Sequence, residues 1–308
     1  MAIHLALQTK QKINNMIEAD QGSSFRSWLG KVIPHMDDAY RVGDEPFRTH
    51  LGASMIGDEC PRAIWYGWRW ATRPKFPARI MRLFNRGHLE EARFIAMFLM
   101  IGCQVYQQDE NGKQFRISHA EGHFGGSGDG VAVGLPELNA GQPCLLEFKT
   151  HSEKSFNELV KKGVREAKPV HYVQMQVYMR KMGIAVALYG AVNKNTDEIH
   201  LEYVFLEGEL ADQYLARGEK IVWLDHAPDG LSTSPGFYKC RFCNHQAVCQ
   251  MGKAPDRNCR TCKYSAPVTG AQWICKNPVN ATILGQPVVI DKAQQFIACP
   301  NYERHGGM

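Results

Sequence analysis

The residues best placed to do chemistry are an acid in a glycine-rich stretch, Gly126-Ser127-Gly128-Asp129-Gly130, and the segment Leu145-Leu146-Glu147-Phe148-Lys149-Thr150. Between them, Leu135 to Pro143 is dense in turn-forming residues and reads as a hairpin loop. A hairpin folded about its middle brings together residues whose numbers sum to about 276, so Asp129 faces Glu147. Strand alternation then puts Glu147 and Lys149 on one face and turns Phe148 toward a core, with its carbonyl near the carboxylates. This is an oxygen cage for a hard divalent cation with an amine beside it. Mg2+ or Mn2+ suits such ligands, activating a water and neutralising charge on a phosphate under attack. The same spacing is also that of a half-exposed hairpin carrying ordinary surface charges.

An Asp followed by Glu-x-Lys on the next strand resembles the signature of the PD-(D/E)XK nuclease superfamily. Two further stretches match. Gln174-Met175-Gln176-Val177-Tyr178 fits the Gln-x-x-x-Tyr motif of the RecB-type branch, and Cys60 with Cys240, Cys243 and Cys249 fits the iron-sulfur pattern of its AddB-like and CRISPR-adaptation exonucleases. Leu51 through Tyr66 is similar to the Ser-to-Cys-Pro segment that opens such domains, and the resemblance spans about residues 50 to 250. It implies an α/β fold with a restriction-endonuclease-like core, a mixed central sheet flanked by helices. It also implies a helix carrying Gly-x-x-x-His or Gly-x-x-x-Glu, and Gly87 with Glu91 matches the second form. The usual RecB-type pattern has a metal-binding His at this step, so the chain departs from it here. His88 shares a helix face with Glu91 and could assist at the metal or contact phosphate, whereas Glu90 points elsewhere. Gln174 and Tyr178 also share a helix face, and the resemblance implies that they position substrate; the plainer alternative is a helix that packs Tyr178 into the core.

Cys240-x2-Cys243-x5-Cys249 is a tight cluster in a chain without signs of secretion, which favours metal over disulfide. With Cys60 it supplies four thiolates, for zinc or, as the resemblance implies, a 4Fe-4S cluster. Such a site closes a loop of about 180 residues and would act as a clasp worth a few kcal/mol in the chain-entropy picture. A second set, Cys259-x2-Cys262-x12-Cys275 with Cys299 farther on, has the spacing of a four-cysteine zinc ribbon, with Trp273 and the stretch Pro255 to Pro267 forming a compact knuckle. His305 could take the place of Cys299. This tail resembles extensions of phage-encoded nucleases of the same type. Cys103 and Cys144 fall on predicted strands and read as core residues.

The 308 residues, 44% apolar and 22% charged, have room for one substantial core and an appendage. Apolar runs are short, and Met1-Ala2-Ile3-His4-Leu5 lacks the pattern of a signal peptide, so a cytoplasmic protein without a membrane segment is expected. The formal charge is +5; two four-thiolate metal sites of roughly −2 each would leave about +1. Only local charge argues for DNA: Arg69, Arg73, Lys75, Arg79, Arg82 and Arg86 crowd one segment, and Lys161, Lys162, Arg165 and Lys168 another. Each group could line a backbone-binding groove or be a solvated face.

Periodicity predicts helices through residues 5–17 and 25–33, then a long helix over 79–101 ended by Gly102. Strands are expected at 103–107 and 114–118, partnered with each other, and His119 and His123 flank the approach to Asp129 as loop histidines that read as structural or solvated, with a catalytic role the alternative. Ser155 to Lys168 reads as a mobile, lysine-rich stretch. Pro169 opens a helix to Met182, ended by Gly183, followed by strands at 184–192 and 199–206 around an Asn193-Lys194-Asn195 turn. A helix follows from Glu209 to about Asp225, then a turn-rich linker from Pro228 to Pro235.

The expected organisation is a helical N-terminal region (1–48), a nuclease domain with an iron-sulfur clasp (49–252) and a cysteine-rich zinc-binding tail (253–308). The expected function is a divalent-metal-dependent DNA nuclease, an exonuclease that resects linear ends, single- or double-stranded, with a recombination or annealing protein as a further partner. Two alternatives stand beside it: a CRISPR-adaptation-like factor that trims DNA ends, and a non-catalytic module that binds them.

Overall fold

A computed structural model describes residues 2–36, 47–108, 110, 114–280 and 287–308. Residues 37–46 of the predicted helical N-terminal region therefore lie outside the described residues. The chain forms two compact units, each assembled from three segments: Met1–Asp44, Phe76–Ile117 and Ser127–Asp212 in the first, and Glu45–Lys75, Ser118–Gly126 and Gln213–Met308 in the second. Both units draw on the stretch 49–252. No helix among the described residues is long and apolar enough to cross a membrane.

In the first unit the elements run β1 (His4–Leu5), α1 (Leu7–Asp20), α2 (Ser23–Val32), α3 (Ala78–Met100), β2 (Gln104–Tyr106), β3 (Gly130–Val133), β4 (Cys144–His151), α4 (Glu153–Ala167), α5 (Pro169–Met182), β5 (Val186–Asn193) and β6 (Ile199–Phe205). The strands form one mixed sheet in the order β1-β6-β5-β4-β3-β2, in which only β4 and β5 run parallel. The α4–α5 crossover between those two strands is what a parallel pair requires. Helices α1, α2 and α3 pack on one apolar face of the sheet, where Phe94 and Phe98 of α3 join Leu146, Phe148 and Leu188 of the strands. Phe148 points into this core, its ring stacked on Phe94 with centroids 4.8 Å apart. Gly190, beside Phe148 on β5, leaves room for that ring: a Cβ there would meet Phe148 Cδ1 at 2.9 Å.

Four expectations are corrected. Ser155 to Ala167 is helix, because Phe156, Leu159 and Val164 form a buried stripe beneath its lysines, and Lys168 caps its end. Strand β2 pairs with β3 and, among the described residues, not with 114–118; an isolated bridge joins Gln108, beyond the end of β2, to Gln114. Leu5, read as the start of a helix, pairs instead with Glu202 at the sheet edge, next to His4 opposite Tyr203. Arg69, offered as a phosphate contact, is 2% exposed and spends its guanidinium on the carbonyls of Arg260, Ser265 and Leu224.

The second unit is organised around tryptophan. Helix Pro61–Trp68 and the turn after it bury Trp65, Trp68 and Trp70, and the antiparallel sheet Ser265–Val268, Gln272–Cys275 and Val288–Ile290 adds Trp273. Arg260, 1% exposed, has its guanidinium carbon 3.9 Å from the Trp70 ring centre, 4.5 Å from that of Trp273 and 4.6 Å from that of Trp68. Its hydrogens go to the carbonyls of Trp68 and Thr49 and to Gln295 Oε1. His123 is structural here, bonded to the Val268 carbonyl at 2.7 Å among Trp68, Trp223 and Trp273.

Candidate active site

The site starts from the register of β3 and β4. Gly130 pairs with Leu146 and Val131 with Leu145, the alignment expected from the hairpin, which sets Asp129 at the end of β3 beside Glu147. Gly130 is required there: its φ is +155°, and a Cβ would lie 3.0 Å from the Tyr106 carbonyl oxygen. Asp129 Oδ2 accepts the Phe148 backbone N–H at 2.7 Å, so this carboxylate is anchored to the strand that carries its partner.

Glu147 is fully buried. Lys149 donates to its Oε1 and, at 3.0 Å, to the Phe148 carbonyl, while Gln174 Nε2 donates to its Oε2 at 3.1 Å. Burial, opposed by Lys149 and reinforced by Asp129 and Glu91, pushes the Glu147 carboxyl up to about 7. Burial works against the Lys149 ammonium, yet Glu147 and Asp129 hold it above the ordinary lysine range. Lys149 is therefore a proton-bearing cation in this arrangement.

Glu91 reaches the same place from α3. Burial raises its carboxyl, His88 lowers it and Asp129 raises it further, so the three acids share one field. His88 Nδ1 lies 3.7 Å from Glu91 Oε1, one helical turn away. Glu90 is turned aside and meets Arg93 Nη1 at 3.0 and 3.1 Å. From α5, Gln174 is joined by Tyr178, which is buried, shares a hydrogen bond with Gln174 and is raised by burial and by the charges of Glu147 and Asp129. Tyr178 is thus a core residue and also a neighbour of the carboxylates. The fold gathers Glu91, Asp129, Glu147, the Phe148 carbonyl, Lys149, Gln174 and Tyr178, with His88 next to Glu91.

The donor chemistry here, three carboxylates and a carbonyl, is that of a hard divalent cation. Yet among the described residues no three His, Cys, Asp or Glu side chains are arranged to hold a metal ion. Glu147 is turned to Lys149 and Gln174, and Asp129 to a backbone N–H.

No family model matches the chain, and no curated protein matches it. Among solved structures, the chain is similar to LHK-Exo in complex with dAMP, at 16% identity over 56% of this chain and 86% of that one, with a TM-score of 0.42. A second is an alkaline exonuclease (LHK-Exo) from Laribacter hongkongensis, at 16% identity over 56% of this chain and 86% of that one, with a TM-score of 0.40. A third is SSO0001, at 14% identity over 74% of this chain and 97% of that one, with a TM-score of 0.38. These likenesses are too loose to assign any residue a role.

None of the ten cysteines is in a disulfide. Cys60, Cys243 and Cys249 lie within one another's field: burial raises the Cys243 thiol, and Cys60 and Cys249 raise it further. Arg62 Nη1 lies 3.8 Å from Cys249 Sγ, and Cys240 is one turn away, its carbonyl bonded to the Cys243 N–H. Cys259, Cys262, Cys275 and Cys299 line a cavity of about 20 Å³, room for little more than one atom. Burial and then the other three thiols push Cys259 up to about 12. His305 is bonded to the Gly307 N–H and stacked edgewise on Trp65, and it does not line that cavity. Cys103 and Cys144 are buried in the core, as expected.

The hydrogen-bonded cluster of His151, His171 and Tyr189 beneath Lys149 was missed by sequence reasoning. The only available signal was alternation, which sets His151 on the Glu147 and Lys149 face of β4.

Proposed function

We propose that the chain is a divalent-metal-dependent DNA nuclease, an exonuclease that resects DNA ends in recombination, repair or replication. The observation that carries this reading is the convergence of Asp129, Glu147 and Lys149 at one end of the β3–β4 pair, in the order of the PD-(D/E)XK signature. Glu91, Asp129, Glu147 and the Phe148 carbonyl would hold Mg2+ or Mn2+, with His88 beside Glu91. When bound, the ion supplies an activated water and neutralises charge on the scissile phosphate.

The chain's own groups set the rest. Gln174 ties the Glu147 carboxylate to α5, so the acid keeps one orientation. Lys149, held charged, orients the attacking water and opposes developing negative charge; general-base work by this amine would require loss of a proton that Glu147 and Asp129 favour keeping. Tyr178 backs Gln174. The same proposal places a 4Fe-4S cluster on Cys60, Cys240, Cys243 and Cys249 and zinc on Cys259, Cys262, Cys275 and Cys299, and it takes a phage or prophage recombination system, with an annealing protein as partner, as the setting.

The test is cleavage of end-labelled linear and closed circular DNA, single- and double-stranded, by anaerobically purified protein with Mg2+ or Mn2+, beside Lys149→Ala. Loss of linear DNA alone, abolished in the variant, is expected. Nicked circles would make the protein an endonuclease, and intact, metal-loaded protein that binds ends without cutting would make it a binding module.

A further inference from the structure

A chain of hydrogen bonds that the proposed chemistry does not use links α4, β4, β5 and α5. Lys168 Nζ donates to Ser155 Oγ at 2.8 Å, and Ser155 Oγ lies 3.2 Å from His151 Nδ1. His151 Nε2 lies 2.9 Å from the Tyr189 hydroxyl, which lies 2.8 Å from His171 Nδ1. Tyr189 stands beside Glu147 in the β4–β5 register and is fully buried. His171, half-buried, precedes Gln174 by one turn on α5, on the face that carries Gln174 and Tyr178.

The chain has a direction. An ammonium can only donate, and a hydroxyl that accepts from an ammonium is polarised as a donor. With Ser155 O–H donating to His151 Nδ1, the order continues as His151 Nε2–H to Tyr189 and Tyr189 O–H to His171 Nδ1. The hydrogen of His171 is thereby left on Nε2, at the half-buried end. Both rings are neutral: burial and then Lys168 and Lys149 hold His151 down to about 4, and burial and then Lys149 and His151 hold His171 down to about 3. A neutral imidazole has one N–H, and in this order that of His171 lies on Nε2.

We propose that His171 is a further substrate-binding residue of this site, presenting its Nε2–H to a phosphate oxygen of the bound DNA strand, and that Tyr189, His151, Ser155 and Lys168 are positioning residues that hold this tautomer. A phosphodiester is the fitting ligand because its oxygens accept only, and the donor lies one helical turn from the amide that holds Glu147. The inference rests on the nuclease reading.

The experiment has two arms. Nitrogen-15 NMR of the histidine rings reads the tautomer without any substrate: His171 is expected as Nε2–H in the native protein, with that signal lost or shifted in Tyr189→Phe. An Nδ1–H tautomer in the native protein overturns the proposal. Binding of a labelled single-stranded DNA in Ca2+ is then measured for native protein, His171→Ala, His171→Asn, His171→Gln and Lys149→Ala. Gln places an amide N–H near the Nε2 position and Asn does not. Affinity is expected to fall about tenfold in the Ala and Asn variants and to return in Gln, since a donor to a charged acceptor is worth about that much. Equal affinity of His171→Ala and native protein overturns the inference while leaving the nuclease reading intact. DNA binding by no form of the protein overturns both.

Discussion

Gln174 Nε2 donates to Glu147 Oε2 at 3.1 Å, joining helix α5 to strand β4 at the buried carboxylate. This bond couples two motifs separated by helix α4. Glu147 already receives the Lys149 ammonium on its other oxygen, and a neutral donor completes its shell without adding a second cation.

The two neighbouring acids of α3 make opposite predictions. Glu91 lies in the field of Asp129 and Lys149, whereas Glu90 is bound to Arg93. Glu91→Gln is expected to lower the cleavage rate by at least about a hundredfold with little change in melting temperature. Glu90→Gln should keep cleavage and lower stability by about 1 kcal/mol, since it weakens an ion pair that is partly buried. Rate and melting curves on both variants check this, and the reverse pattern would exchange their roles.

Acid should weaken the fold through His151. Its ring is held down to about 4 against an ordinary 6.5, by burial and then by Lys168 and Lys149. A group with a depressed folded pKa contributes stability that is present above its unfolded pKa and lost as pH falls through the folded one. The window is therefore pH 6.5 down to about 4. Urea midpoints at both ends of it should show a fall in the native protein that is smaller by about 1 kcal/mol in His151→Gln.

Arg260 is held by planar stacking and carbonyl acceptors, with three indole rings around it. Arg260→Lys keeps the charge but loses the plane and most donors, so it should destabilise by about 2 to 4 kcal/mol, as should Arg260→Ala. Chemical denaturation measures both, and a Lys variant as stable as native protein would refute the stacking account.

Metal analysis separates the two cysteine sets. Under the proposed metal assignment, Cys275→Ser is expected to lower zinc and leave iron unchanged, while Cys243→Ser lowers iron, any brown colour and stability. His305→Ala should retain zinc, because Cys299 and not His305 stands with Cys259, Cys262 and Cys275.

What the chain alone determined is local. The turn formers between β3 and β4 set a register that the fold keeps, with Gly130 opposite Leu146, and Pro169 and Gly183 delimit α5. In each case a few adjacent residues restrict φ and ψ strongly enough to decide the outcome. Helix α4 was hidden because lysines mask a stripe of only a few apolar residues, and its path bends at Gly163, where φ is +74°. Edge strand β1 is two residues long and takes its pairing from β6, nearly the whole first unit away in sequence. Arg69 and Arg260 look like surface cations until tryptophans from separate segments close over them, and His171 looks like any helix histidine until the fold sets the Tyr189 hydroxyl of β5 at 2.8 Å from its Nδ1. Tertiary structure decided these because burial and hydrogen-bond partnership depend on residues distant in sequence, which local pattern does not encode.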